Sequence, residues 1–571
     1  MGLLNIYGGL DITKGFAIFD LDGISPYEPT FWLNNMGQIN KPTALTTINN
    51  TRVSTSMVQD HEGVYVTCLP EETTLDRGRR EQNLATSLTT HSIAVESGRT
   101  YQISCEGVSA STVILSNATA GTLTNNGSDR LAFDTAKTAT TGVLTLTVTG
   151  ALISLQVQDV TGRSNTAPSE VLDPGTTEWY ADTNGNSVNS GVVTAAPGTA
   201  ITPVPQVLMQ PQKTNAVVNS FFSELGAGGA DVFAKWSETV AGTSTINQEL
   251  DDLPPGFTSG LRFDIDALSS LAQVAQVKRI AIPAGGVATV SAFVKVANVS
   301  GFRFSIRVDN GAGGSLHYLA ADGLSWQVGS ASFIPSDLPV AWDLWQHRLP
   351  ATPAGTSSMY LNQVKSTSGV SVSHRLTALQ LVEGPEAGTP IKTTIAPATR
   401  DADELVITDW SNFAPLTSGL MLFAFTPSSD WAALGAEQLV YGGASANLSF
   451  RSANDGGLKA TDGTSTSSIL SGHTPGTEII ASVYFDAGIN IFQVGYYEMD
   501  NATQHWDASP ATFVTLAVDP ELIVAKIIDG AVTARGLQIF TGMPAGGVDK
   551  ASIEAWIEAN QEAEIDKRMG K

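Results

Sequence analysis

Charge is what this chain has least of: Asp, Glu, Lys and Arg make up 15% of its 571 residues, where about a quarter is usual. The apolar fraction is an ordinary 42%, so a normal core must be covered by Ser, Thr, Asn and Gly instead of by charges. That balance, with 54 Gly, favours strands and tight turns over helices. Cysteine is equally scarce, with only Cys68 and Cys105. Two cysteines cannot form a disulfide framework or a four-ligand zinc site. Their apolar, β-like surroundings favour buried free thiols, with a single bridge as the alternative. No apolar run reaches the ~18 residues of a membrane span. The start, Met1-Gly2-Leu3-Leu4-Asn5, has neither a basic n-region nor a cleavage site. Ile6 stands where N-myristoylation after Gly2 requires Ser or Thr. The chain is therefore expected to be made in a cytoplasm and, if it works outside, to leave by a route such as cell lysis.

Positive charge is the scarcer sign, 31 Lys and Arg against 55 Asp and Glu, for a net charge of −24. A surface of that sign repels phosphate and anionic lipid, so neither nucleic acid nor a membrane is an expected partner. Catalytic signatures are missing too. None of His61, His91, His317, His347, His374, His473 and His505 lies in H-E-x-x-H or another close metal spacing. There is no G-x-S-x-G elbow. Gly226-Ala227-Gly228-Gly229 and Gly311-Ala312-Gly313-Gly314 lack a strand-loop-helix setting and read as turns. Asp182-Thr183-Asn184-Gly185-Asn186 opens like a calcium loop but lacks the following Gly and the distal Glu, so it reads as a turn. No metal, cofactor or catalytic residue is predicted.

What is present is alternation. Residues 1–60 hold many large apolar groups, such as Phe31-Trp32, but no sustained period, and read as an N-terminal arm or small domain that packs on a partner. Residues 61–165 carry strand patterns, Tyr101-Gln102-Ile103-Ser104-Cys105 and Val143–Gly150, with a turn signal at Asn126-Gly127, and predict a β-sandwich. Residues 166–210, with Pro168, Pro174, Pro197, Pro203 and Pro205, read as a linker on which Trp179-Tyr180 dock to a neighbour. Alternation returns over 211–392, in Gly260–Asp266, Val290–Val296 and Phe302–Val308, and predicts a larger sandwich. Residues 393–547 make a third unit, with Leu420–Phe425 and Ile479–Phe485 as its clearest strands. Over 548–571, Ile553, Trp556 and Ile557 fall at helical spacing and predict one C-terminal helix. The fold class is thus all-β, tandem β-sandwich modules with an irregular arm and a short terminal helix. A weak repeat marks the module ends: Leu155-Gln156-Val157, Leu379-Gln380-Leu381 and Leu537-Gln538-Ile539.

The second of these repeats opens a longer pattern. Leu379-Gln380-Leu381-Val382-Glu383-Gly384-Pro385 is followed by Ala396-Pro397-Ala398-Thr399-Arg400-Asp401-Ala402-Asp403. This resembles the junction, in phage tail and virion proteins, between a carbohydrate-binding-module-like jelly roll and a concanavalin A/laminin-G-like sandwich. There an LQLEEG-like strand precedes a TRAAD-like segment; Asp401 stands where that pattern has Ala. Residues 155–168, with Asp159, Thr161, Gly162 and Asn165, are similar to the same closing strand in an upstream module. The resemblance covers about 90–165 and 211–547. It implies jelly-roll modules in a virion protein, a homo-oligomer that is a trimer by family analogy, anchorage to other virion proteins through the arm, and contact with host-surface polysaccharide.

Aromatic side chains are the binding candidates, because sugar rings present apolar faces that stack on them. Trp326, Trp342 and Trp345 lie close together with Tyr318 nearby, and Trp431, Tyr441 and Trp506 occur in the third module. The competing reading places the same rings in the sandwich cores. The role expected is a tail fibre or tail-tip appendage that binds host-surface glycan and is not an enzyme. The alternatives are a capsid decoration or purely structural virion protein and, third, a polysaccharide depolymerase.

Overall fold

The alternating segments are strands. The computed structural model describes most of residues 48–407, the strands of 418–541 and two short strands at Phe31–Leu33 and Ile39–Asn40; residues 1–30, 408–417, 428–438 and 542–571 and shorter breaks lie outside the described residues. The predicted helix at 548–571, the turn at Asn126-Gly127 and Trp431 are among the latter. Among the described residues there is no α-helix, and the chain is all-β.

Apolar side chains at every second position give each sheet one inward face. In the first sandwich a four-stranded sheet (121–125, 111–116, 143–149, 91–94) faces a six-stranded one built on Thr100–Gly107. Ile103, Cys105, Val113, Leu144, Leu146 and Leu155 fill the space between them. Cys68 and Cys105 are buried free thiols. The second sandwich pairs a seven-stranded sheet, ordered 237–241, 271–275, 358–366, 302–309, 315–319 and 326–327 with 279–281 beside 358–366, against a five-stranded sheet ordered 245–249, 260–265, 372–383, 288–296 and 343–348. Phe263, Val294, Phe302, Phe304, Ile306 and Leu376 are among its fully buried core residues. The third unit stacks a seven-stranded sheet, containing 404–407, 522–526 and 439–443, and a nine-stranded sheet containing 532–541, 418–427 and 479–486.

Segments that read as an arm and a linker belong to these sheets. Phe31–Leu33 pairs with 537–539 of the long strand Val532–Thr541, and Met209, Leu208 and Val207 pair with 532–534 of the same strand. Ile48–Asn50 adds to Glu404–Ile407. One edge of the strand 532–541 is thus closed by two remote pieces of chain, which removes an exposed edge. Thr177–Tyr180 pairs with Arg79–Gln82, and Trp179 donates to Glu72 at 2.8 Å while the Arg79 guanidinium lies 4.1 Å above the Tyr180 ring.

The repeat at the module ends is a working part. Asn83 donates to the carbonyls of Leu155 and Leu172 and accepts from the amides of Ala85 and Val157, at 2.9–3.1 Å. Asn215 does the same one module on, with Leu379, Ile391, Val217 and Leu381 at 3.1–3.2 Å. Gln156 accepts from the Leu172 amide and Gln380 from the Ile391 amide. Each closing strand is therefore locked to the segment that follows it by one buried Asn and one buried Gln, all four bonding positions of the Asn amide being used. In the third module Leu537-Gln538-Ile539 falls in the middle of a central strand.

The scarce charges are concentrated at the joint of the three modules. Arg52 donates to Asp403 at 2.9 Å, with 0% and 1% of the two side chains exposed. Asp403 also accepts from Asn50 and from the Gln210 amide. Arg400 donates to Gln210, Thr389 and the Pro211 carbonyl. The Thr399–Asp403 segment singled out in the sequence is thus a clip that fastens the third module to residues 50–52 and 210–211. Around it, Arg79 is held by Glu170 and Asp182, Arg80 by Glu72, and Arg163 by Glu81. A buried charge is tolerated only with such partners. The hairpin 56–68 wedges Tyr65 against Phe257 and Phe293 of the second module.

Candidate functional site

The sequence-predicted aromatics separate into different environments. Trp345, on the strand Asp343–Arg348, turns inward, is 3% exposed, stacks on Phe304 at 5.1 Å and donates to Asp337. It is a core residue and offers no face to a ligand. Trp342 is half-buried, donates to the carbonyl and carboxylate of Asp252 at 3.1 Å, and packs in the cluster around Phe221, Phe257 and Phe293 that joins the 56–68 hairpin to the second module. Trp326 pairs with the buried Leu319, packs on the core edge and donates to the carbonyls of Pro350 and Ala351. Tyr441 lies opposite Phe450 and Val524, and Trp506 opposite Gly495. Trp431 lies outside the described residues. Tyr318 alone of the first group sits on the outward side of a sheet.

That side is distinctive. In Phe302–Asp309 the inward positions are Phe302, Phe304, Ile306 and Val308, all fully buried. Arg303, Ser305 and Arg307 consequently point out. Cross-strand register extends the row: Arg279 lies opposite Tyr360, Tyr360 opposite Arg307, Arg307 opposite Tyr318, and Tyr318 opposite Gln327. Four strand spacings of ~4.8 Å make this ladder about 19 Å long. A second row places Thr239 opposite Gln273, Gln273 opposite Lys365, and Lys365 opposite Arg303. The Arg307 guanidinium sits 4.8 Å from the centre of the Tyr360 ring, a cation–π contact that fixes its position. Arg279 and Gln327 are exposed, Arg303, Arg307 and Tyr318 are half-buried, and Tyr360 is buried, so Tyr318 is the ring of this row open to a ligand.

On the five-stranded sheet Arg262 is paired with Asp264 and Glu249, Arg375 with Glu249, and Lys295 with Asp252 of the following loop. Burial there pushes the Glu249 carboxyl up, but hydrogen bonds from Arg375 and the amides of Asp252 and Asp251 outweigh it and hold the group below the usual carboxylate range. The seven strands of the other sheet contain four cations, Arg279, Arg303, Arg307 and Lys365, and two carboxylates, Glu238 and Asp309. Glu238 accepts from the Phe233 amide, and Asp309 is fully buried and accepts from the Ser358 hydroxyl.

Other concave places are joints. A cleft of about 250 Å³ between the hairpin, the first module and the second is lined by Glu96, Arg99 and Lys392 among others. Lys392 spans it to Glu96 at 2.9 Å. Burial raises the Glu96 carboxyl, and Arg99 and Lys392 together bring it down to about 2. Among the described residues no group of His, Cys, Asp and Glu is placed to hold a metal.

The ladder was missed in the sequence apart from Tyr318, although its signal was there. Within Phe302-Arg303-Phe304-Ser305-Ile306-Arg307-Val308 two of the three outward positions are basic, against the chain's net charge.

Comparison with known proteins adds distant likenesses. No family model matches the chain, and no curated protein matches it. Among solved structures, the enzymatically active domain of tailspike protein 4 from bacteriophage CBA120 matches over 30% of this chain and 21% of that one, with 14% identity and a TM-score of 0.22. The binding domain of botulinum neurotoxin serotype D matches over 28% and 41%, with 9% identity and a TM-score of 0.21. The CBM22-1 xylan-binding domain from Paenibacillus barcinonensis matches over 31% of this chain and 99% of its own, with 13% identity and a TM-score of 0.18. The chain thus spans well under half of the first two proteins it is similar to, and the functional reading rests on its own side chains.

Proposed function

We propose that this chain is a glycan-binding structural protein of a phage particle, a tail fibre or tail-tip appendage that holds host-surface polysaccharide on the outer face of its second module. The observation that carries the reading is the Arg279–Tyr360–Arg307–Tyr318–Gln327 row, set across five strands of one hydrogen-bonded sheet. A ring for stacking, here the half-buried Tyr318, and fork-shaped donors for hydroxyls are the two kinds of contact sugars need, and a sheet holds them at fixed spacing with little loss of entropy on binding. The junction pattern at 379–403 supports the virion setting. The proposed role is binding without cleavage, with further copies of the chain, as a trimer, and other virion proteins met through the N-terminal residues as partners.

A glycan array probed with the full chain tests this. Retention of one or more polysaccharides, reduced about tenfold by Tyr318→Ala, supports the reading; stacked rings are worth roughly 1 kcal/mol or more beyond their area. Retention that Tyr318→Ala and Arg307→Gln both leave unchanged removes the ladder from the role. Release of reducing ends from a bound polysaccharide would convert the binder into a depolymerase. Immunogold labelling of intact particles tests the tail assignment.

A further inference from the structure

The row of outward side chains ends beside a hollow. Arg279–Ala281 pairs with 358–360 of the neighbouring strand, and Arg279 is the last member of the row that runs through Tyr360, Arg307, Tyr318 and Gln327. The same Arg279 lines a cleft of about 460 Å³ with Gln212, Thr214, Ala216, Ile280 and Glu383. None of the described residues of 358–366 lines it, so the cleft opens on the other side of the strand 279–281. Its volume falls within the ~300–1,000 Å³ of small-molecule sites. Ala216 and Ile280 are buried and give it an apolar floor. Gln212, Thr214, Arg279 and Glu383 are exposed and stand around the rim. Bonds to neighbours hold that rim in place. Gln212 Nε2 donates to Asp401 at 3.2 Å, the Thr214 and Thr399 hydroxyls lie 2.8 Å apart, and the Lys213 ammonium donates to the Glu383 backbone carbonyl at 2.8 Å. Both halves of the junction pattern at 379–403 thus frame this concave place: Glu383 from the first, Thr399 and Asp401 from the second.

We infer that the cleft is a further subsite, one that takes a sugar unit leaving the plane of the row, either a chain terminus or a side branch. The inference rests on the proposed glycan-binding role of the row and extends it. A polymer lying across the strands follows the row in steps of ~4.8 Å. Past Arg279 it meets no further strand, because 279–281 has no second partner among the described strands, and the next surface is the cleft. A terminal or branching ring keeps most of its hydroxyls free, and hydroxyls both donate and accept. The rim answers both needs: the Glu383 carboxylate accepts, the Arg279 guanidinium donates, and the Gln212 amide and Thr214 hydroxyl do either. An internal unit, tied to two neighbours along the row, does not reach into the hollow. With the rim already positioned by Asp401, Thr399 and Lys213, little ordering is needed on binding. A ring held there adds its contacts to those of the row within one ligand. The row meets the side of the polymer and the cleft meets its end.

The test uses the full chain and a panel of bacterial surface polysaccharides. Each is offered intact, after exoglycosidase trimming of its terminal units, and after enzymatic removal of its side branches. The variants are Glu383→Gln and Gln212→Ala at the rim, Ala281→Trp to fill the hollow, and Tyr318→Ala in the row. The expected result is retention of an intact polymer about tenfold weaker in Ala281→Trp and in Glu383→Gln, the effect of losing a hydrogen bond to a charged group, with a smaller loss in Gln212→Ala. One of the two treatments should then make the parent bind as weakly as the cleft variants, and which one does so separates terminus from branch. Tyr318→Ala should weaken intact and treated forms alike. Near-ultraviolet circular dichroism on each variant confirms the sheet. Cleft variants that retain the intact polymer as the parent does, while Tyr318→Ala weakens it, overturn the subsite and leave the row standing. Treated polymers that the parent still binds better than the cleft variants do also overturn it, since internal units would then fill the cleft. A loss in the cleft variants with none in Tyr318→Ala overturns the row and the subsite built on it. Retention of nothing overturns both.

Discussion

Removing the carboxylate of Asp403 should loosen the joint between the modules by a predictable amount. Its Oδ1 lies 2.9 Å from Arg52 Nε, and the two side chains are 1% and 0% exposed. At an effective dielectric near 20, unit charges ~4 Å apart attract by about 4 kcal/mol. Loss of one member of a buried pair costs about 3–5 kcal/mol, because the other is left charged and uncompensated. Arg52 keeps its bonds to the carbonyls of Ser54, Leu69 and Glu72, which places Asp403→Asn toward the lower end, about 3–4 kcal/mol. Each 1.4 kcal/mol is a factor of ten, so amide hydrogen exchange in peptides covering 50–83 and 398–407 should accelerate a few hundredfold. Peptides of the first sandwich core, such as 143–149, should change little. The double variant Arg52→Met/Asp403→Leu removes both charges and should recover most of the loss. Exchange in Asp403→Asn within about twofold of the parent would refute the reasoning, since a pair worth that little cannot be what fastens residues 351 apart in sequence.

Three further outcomes follow from single buried groups. Asn215→Ala removes four hydrogen bonds and leaves backbone groups unsatisfied, so the second sandwich should lose about 2–4 kcal/mol in denaturant unfolding. Asn83→Ala should do the same to the first. Burial pulls the His374 imidazole down to about 4 from its ordinary 6.5, so the unfolded chain binds the proton more readily. The stability this residue contributes is whole above pH 6.5 and is lost, up to about 3 kcal/mol, as pH falls to 4; His374→Leu should flatten that slope in melting curves taken across the range. Asp60 has the opposite sign: burial, only partly offset by Arg163, raises it to about 6. The folded state then binds the proton more readily, and stability falls by about 2–3 kcal/mol as pH rises from 4 to 6. Asp60→Asn should melt at a higher temperature than the parent at pH 7 and at the same temperature at pH 4, and equal shifts at both would refute the assignment. The slopes of His374 and Asp60 oppose each other, so each variant is read against the parent.

Local pattern and tertiary structure divided the molecule between them along a physical line. A two-residue apolar rhythm is a property of neighbouring side chains, so strands such as Thr100–Gly107, Gly260–Ile265 and Phe302–Asp309 were legible from the chain alone, as were the all-β class and the Leu-Gln-apolar strands that close two modules. Rhythm gives the two sides of a strand but not which element covers each side. Trp345 and Tyr318 carry similar aromatic weight in the sequence, yet cross-strand register turns one against Phe304 and the other into a row with Arg307. Pairing across hundreds of residues leaves no local trace either. Phe31–Leu33 completes an edge beside Val532–Thr541, and Arg52 finds Asp403, only because the modules close on one another. The sequence alone settled which residues alternate. Which of them meet, which are sealed from water, and which line up in one row across a sheet were decided by the packing of sheets, since burial and pairing are properties of distance in space and not along the chain.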